Sequence, residues 1–157
     1  MTTVHRDLDS VDVQILKLLQ QDASLTNKEI SSKLHKSIAT IHERIRRLKE
    51  QGFIERIVAI LDRKKVNCSL IAFSHVLLKE HTKETLDKFE TEVCNFPEVM
   101  ECLQMTGAHD FILRIATQDM NAYHEFLRHK LATLPNITTV QSYFVLSAPK
   151  SETAYPI

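Results

Sequence analysis

Residues 26–52 read TNKEISSKLHKSIATIHERIRRLKEQG, and this stretch decides the fold of the first third of the chain. Thr26 and Glu29 have the T-x-x-E spacing of a capping box, where two side chains satisfy each other's backbone N–H at a helix start. That helix buries Ile30 and Leu34 and lasts about two turns, because Ser37 is already a cap for the next. The next helix buries Ile41, Ile45 and Leu48, and stops at Gly52. Between the two stands His35, where such turns commonly carry glycine; histidine is among the few other residues that tolerate a positive φ. Lys36 also replaces a commoner apolar residue, while Ser31 is small where the helices must approach. Upstream, Leu8, Val11, Ile15, Leu18 and Leu19 make a helical stripe, with Asp9 as cap and Asp12 placed where the helix dipole favours negative charge. Residues 1–52 are therefore predicted to form three helices, the last two a helix-turn-helix.

The third of these helices is chemically lopsided. Its predicted outer surface offers Ser37, Ala39, Thr40, Glu43, Arg44, Arg46, Arg47 and Lys49, with His42 packed beside the buried edge. Small and hydrogen-bonding residues at the start suit base edges in a major groove, and cations further along suit phosphates. Ser37, Ala39, Thr40, Glu43, Arg44 and Arg47, with Lys28 from the preceding helix, are the candidate contacts to double-stranded DNA.

Downstream, FIERIVAIL (53–61) is rich in β-branched residues, and SLIAFSHVLLK (69–79) reads as a buried strand. A helix is predicted over 83–95, strands over 99–106 and 110–117, a helix over 120–133 and a last strand over 137–146. An internal echo at an offset of 38 residues matches Phe89 with Leu127, Val93 with Leu131, Phe96 with Leu134, Pro97 with Pro135 and Val99 with Ile137. The order β-α-β-β-α-β is the ferredoxin-like arrangement, with both helices on one face of an antiparallel sheet. The other face is apolar enough to require a second copy of the chain, so a dimer is expected.

Composition narrows the function classes. The chain has 157 residues, 20 Lys+Arg against 20 Asp+Glu, and only two glycines, Gly52 and Gly107. Balanced charge argues against coating nucleic acid by bulk attraction, and two distant glycines exclude a phosphate-cradling loop or a dinucleotide fingerprint. The charge is uneven, however: between Lys36 and Lys65 nine residues are basic and four acidic. No apolar run is long enough for a membrane span, and the first ten residues lack a secretion signal's apolar core. Three cysteines without a CxxC pair suit free thiols in the cytoplasm. Among the eight histidines no pair has the HExxH arrangement; His124 and His129 are five apart, and His75, His81 and His109 lie on separate elements. No serine or cysteine has the context of a nucleophile, and no metal or cofactor is expected.

From Leu8 to about Val145 the chain resembles the leucine-responsive/asparagine-operon (Lrp/AsnC, "feast/famine") family of transcription regulators. The resemblance is carried by LDSVDVQIL (8–16), ERIRRLKEQGFI (43–54), TGAHDFILRI (106–115), DMNAYHEFL (119–127) and TVQSYFVL (139–146). It implies an α+β chain: an N-terminal winged-type helix-turn-helix over 1–52, a linking strand or hinge over 53–66, and a ferredoxin-like βαββαβ effector-binding (RAM) domain over 67–157. It further implies a cytoplasmic, nucleoid-associated regulator whose homodimers bind pseudo-palindromic operators and assemble commonly into octamers, with an amino-acid effector, leucine or methionine favoured, between dimers. By family position the effector residues are Thr106, Gly107, Ala108, His109, Asp110, Met120, Tyr143, Phe144 and Val145. Gly107 would let backbone amides approach an α-carboxylate and Asp110 would neutralise an α-ammonium; the plainer reading is a turn glycine and a capping aspartate. Two alternatives stand beside this one. Sirohaem decarboxylases are related in fold and use histidines, here His109 or His124, and a ligand sensor without DNA binding would need the basic helix masked.

Overall fold

The computed structural model describes residues 8–157; residues 1–7, where the expected first domain begins, lie outside the described residues. The chain divides into two compact units, one running to Ala59 and including Lys150–Ile157, the other Ile60–Pro149. The last eight residues therefore belong with the helical unit, whereas the expected boundary kept them with the second domain. What holds them is an amide pair: Gln20 Oε1 accepts from the Tyr155 backbone N–H at 2.7 Å, and Gln20 Nε2 donates to the Tyr155 carbonyl at 3.3 Å.

The first unit holds α1 (Ser10–Gln21), α2 (Asn27–Leu34) and α3 (Ile38–Glu50). Asp9 caps α1, accepting from the Val11 and Asp12 N–H groups, and the Thr26/Glu29 capping box is complete. Ser37 caps α3. His35 ends α2 in the left-handed region at φ 51°, as the turn requires, and Ser31 Oγ donates to the Lys36 carbonyl at 2.6 Å across that turn. Ile15, Leu16, Ile30, Ile41 and Leu48 form the core, with Phe53 and Ile54 packed against it.

Of the linking strand or hinge expected over 53–66, no strand forms. The β-branched composition of residues 53–61 supplies propensity, but a strand exists only where another completes its hydrogen-bond ladder, and none among the described residues does. Ile57, Val58, Ile60 and Leu61 are left 50%, 60%, 74% and 66% exposed.

The second unit follows the predicted order: β1 (Leu70–Leu78), α4 (Lys83–Cys94), β2 (Val99–Gln104), β3 (Phe111–Thr117), α5 (Met120–His129) and β4 (Ile137–Phe144). The helix predicted to reach 133 stops at His129; Lys130 leaves helical geometry and a 3-10 turn, Leu131–Thr133, follows. The sheet is antiparallel in the order β2-β3-β1-β4, the ferredoxin-like arrangement. Ala72, Val76 and Leu78 of β1 and Phe111, Leu113 and Ile115 of β3 pack with Phe89, Val93, Tyr123, Phe126 and Leu131 from the helical layer. The repeat pairs Phe96 and Leu134 both brace this core, which explains the echo in sequence. Ser74 is the polar exception within it. Its hydroxyl meets Tyr123 Oη at 2.9 Å and Ser142 Oγ at 3.3 Å, and Tyr123 also bonds Ser142, so these hydroxyls satisfy one another. Strand alternation leaves Phe73, His75 and Leu77 of β1 and Ile112 and Arg114 of β3 on the face without helices, none of them fully buried. Among the described residues no helix is long and apolar enough to cross a membrane.

Candidate functional site

Helix α3 presents two kinds of surface. Ser37, Ala39, Thr40, Glu43 and Lys49 are exposed, as is Lys28 on α2. The Ser37 hydroxyl accepts from the Thr40 N–H at 3.1 Å and pairs with the Thr40 hydroxyl at 2.8 Å, which fixes both side chains at the helix start. Glu43 and Glu50 hold Arg46 on the same helix at 2.6 and 2.5 Å, and the Arg46 guanidinium holds the Glu43 carboxyl below its ordinary range. His42, expected to pack, is exposed.

Arg44 and Arg47 depart from the expected outward surface. Arg44 Nη1 lies 2.6 Å from Asp9 Oδ2 and 2.7 Å from Asp12 Oδ1, and Arg47 Nη2 lies 2.8 Å from Asp12 Oδ2. The Asp12 side chain is only 4% exposed, so these contacts are a half-buried ionic bolt between α1 and α3. The signal was present in the periodicity. Arg44 falls at i+3 in the set Ile41, Arg44, Ile45, Leu48, and Asp12 falls within the Leu8, Val11, Ile15 stripe, so both face inward. Lys28, Lys36 and Lys49, like Lys17, Lys33 and Arg56, are exposed and make no ion pair among the described residues, which leaves them open to an external partner.

Three capping and turn carboxyls of this unit, Asp9, Asp22 and Glu29, respond to acid in one direction. The Asp12 backbone N–H, and after it Arg44, holds Asp9 below its ordinary 3.8, and the Thr26 backbone N–H likewise holds Glu29 below 4.5. Hydrogen bonds from Ser24 lower Asp22. Each group binds protons less readily folded than unfolded, so its contribution is whole above the ordinary value and fades as pH falls through the depressed one. In a pH series of thermal melts followed by amide NMR, signals from α1–α3 are expected to lose stability below pH 4.5, set by the ordinary Glu value; a flat profile there would remove the caps from the stability account.

In the second unit, Thr106, Gly107 and Ala108 form an exposed turn between β2 and β3. Gly107 has φ 128°, a conformation an L side chain strains to adopt, although a Cβ there would meet nothing within 4 Å. Conformation, not space, requires glycine. Asp110 is more committed than expected. Its Oδ2 accepts from the Leu78 N–H at 2.7 Å, and His81 Nε2 lies 3.0 Å from Oδ1. It therefore ties the end of β1 to the turn, and any ammonium would share an oxygen already in use. His109 joins a cluster that sequence reading missed: its ring lies 5.1 Å from His75, which lies 4.9 Å from Tyr143. Register explains it, since His75 on β1 pairs with Gln141 and Phe73 with Tyr143 on β4.

The remaining candidates stand elsewhere on the unit. Met120 and Phe144 line a groove of about 500 Å³ between α5 and β4, with Tyr123, His124, Leu127, Val140 and Ser142. Val145 is half-buried, its N–H given to the Ile71 carbonyl at 2.9 Å. Eight of the nine effector candidates thus divide between the Gly107 turn with its ring cluster and the α5–β4 groove, and Val145 lies in neither. Among the described residues no group of three or more His, Cys, Asp or Glu side chains is placed to hold a metal ion.

Against this geometry, the family profile described as Lrp/AsnC ligand binding domain matches residues 71–155, and that described as winged helix-turn-helix DNA-binding matches residues 8–55. The chain belongs to the Lrp/AsnC family. It is 32% identical to the Bkd operon transcriptional regulator of Pseudomonas aeruginosa, over 96% of this chain and 99% of that one. It is 33% identical to the leucine-responsive regulatory protein of Escherichia coli, over 92% and 88%. A transcriptional regulator from Neisseria meningitidis, solved as its L-Met complex, superposes with a TM-score of 0.91 at 33% identity over 96% and 97%. This Lrp/AsnC chain is accordingly a DNA-binding transcriptional regulator with a ligand-binding domain, and the decarboxylase alternative falls because its relatives are regulators.

Proposed function

We propose that this Lrp/AsnC regulator binds a pseudo-palindromic operator through α3 and changes its DNA occupancy when an amino acid, leucine or methionine foremost, binds its second unit. The observation that carries the reading is the start of α3, where Ser37, Ala39 and Thr40 are exposed and tied to nothing but one another and their own helix. Those side chains and Glu43 reach base edges, while Lys28, Lys36 and Lys49 hold phosphates. The exposed start of α3 and the unpaired Lys49 also disfavour a sensor without DNA activity. The experiment is salt-dependent DNA retardation: Lys28→Ala and Lys49→Ala should each weaken binding to all sequences and lower the salt slope by about 1. Unchanged slopes in both variants would refute the phosphate assignment.

The effector half draws support from relatives, one named leucine-responsive and one solved with L-Met. The Thr106–Asp110 turn, with His75, His109 and Tyr143, forms the near wall of that site, and a second dimer supplies the far wall. Two copies pair first, by covering the sheet face that bears Phe73, Leu77 and Ile112 and by joining residues 57–61 as strands; four dimers then close an octamer in the cytoplasm, on the nucleoid. An effector acts by binding one assembly state better than another, which alters how many α3 helices engage one DNA segment. Asp110→Asn keeps an acceptor for the Leu78 N–H but removes the charge. It should lose the calorimetric response to leucine and methionine with little change in melting temperature; a retained response would take Asp110 out of the site.

A further inference from the structure

The start of α3 leaves an apolar side chain in water. Ile38, the first residue of that helix, is 50% exposed, and among the described residues it is the one large apolar side chain of α1–α3 that is exposed. Its spacing puts it in line with Ile41, Ile45 and Leu48, but the core of the unit includes those three and not Ile38. A lone exposed isoleucine is ordinary on a protein surface; this one stands between Ser37 and Ala39, on the surface assigned above to the major groove. The polar side chains around it are engaged. The Ser37 and Thr40 hydroxyls bond each other at 2.8 Å, and the two Glu43 carboxylate oxygens accept from Arg46 at 2.6 and 3.0 Å. What this surface leaves uncommitted is hydrocarbon, Ile38 and the Ala39 methyl, with the exposed Lys36 two residues before.

We propose that Ile38 is a specificity-determining residue that reads thymine, by packing against its C5-methyl group in the major groove. The inference rests on the operator-binding reading above and names the base that the start of α3 selects. Unmodified base pairs show hydrogen-bond donors and acceptors in the major groove, and the thymine methyl is the apolar group among them. An exposed isoleucine therefore gains there what no other base edge offers, the burial of its own surface together with that of the methyl. In a helix isoleucine keeps largely to one χ1 rotamer, so little side-chain freedom is lost on contact. Ala39, next along, is small enough to let the helix approach the bases and adds a second apolar contact. The charge of Lys36 draws phosphate to the same end of the helix.

The test uses the full chain and a duplex that it selects from a random pool, with each thymine of that duplex replaced in turn by deoxyuridine. The exchange deletes one methyl and leaves every hydrogen-bonding group of the base pair in place. Binding is followed by fluorescence anisotropy at fixed salt. The wild-type chain should bind about fourfold more weakly, the transfer value of one buried methyl, at one or more thymines in each half-site. Ile38→Ala should bind the unmodified duplex more weakly and lose the deoxyuridine penalty at those positions, with its salt slope and melting temperature unchanged. Ile38→Val, one methylene smaller, should lie between. Indifference of the wild-type chain to every exchange, penalties that persist in Ile38→Ala, or a large fall in its melting temperature would each overturn the proposal, and specific binding of the selected duplex would still uphold the operator reading. A selection that enriches no sequence would overturn both.

Discussion

Asp12→Ala is expected to destabilise the helical unit by about 3 kcal/mol, near the lower end of what breaking a buried ion pair costs. The Asp12 carboxylate is 4% exposed and accepts from Arg44 at 2.7 Å and from Arg47 at 2.8 and 3.0 Å. Removing it leaves two guanidinium groups beside one another with, among the described residues, only Asp9 at the rim to answer Arg44. The loss is held to the lower end because Arg44 and Arg47 keep 23% and 31% of their side-chain surface in water and can turn outward. Amide NMR during denaturant unfolding would read this directly: signals from α1–α3 should move and those from the sheet should not. Arg47→Ala should cost less, since Arg44 still answers Asp12, and it should leave the DNA salt slope unchanged. A flattened slope in Arg47→Ala would mean that Arg47 leaves Asp12 for a phosphate when DNA arrives.

Phe111→Ala is expected to cost the second unit about 3–5 kcal/mol, the range for emptying a large aromatic site in a packed core. Phe111 is 1% exposed, its ring lies 4.8 Å from that of Phe89, and its backbone pairs with both Val76 and Gln104. The melting temperature of this unit should fall by about 4 °C or more per kcal/mol. The exposed Tyr143→Ala serves as the contrast, with a change within about 0.5 kcal/mol. Because Phe111 follows Asp110 directly, loosening it should also loosen the Gly107 turn, so effector binding should weaken in parallel. An unaltered calorimetric response in a destabilised Phe111→Ala chain would detach the turn from the core.

Much of the fold was legible locally. The Thr26–Glu29 spacing gave a capping box that is complete, His35 took the positive φ demanded of it, and the repeated Phe-Pro and Leu-Pro corners became matching core braces. Two failures share a cause. Residues 53–61 have strand composition without a strand, and Arg44 and Arg47 looked like outward cations while facing Asp12. In each instance the outcome depends on what the segment meets, not on what it is made of. Charge also masked position: Arg44 sat in the buried stripe, yet its type suggested the surface, and only a buried carboxylate opposite makes that burial tolerable.

The amino-acid order alone determined the three helices and their caps, the βαββαβ succession, and the residues eligible to touch DNA or an effector, because caps, turns and periodicity act within a few residues. Tertiary structure decided which of those residues are spent internally. It turned Arg44 and Arg47 to Asp12, bound Asp110 to Leu78, and gathered His75, His109 and Tyr143 by strand register. Such pairings join positions far apart along the chain or on different elements. They exist only once apolar burial has brought helix and strand faces together, and no local pattern encodes that distance.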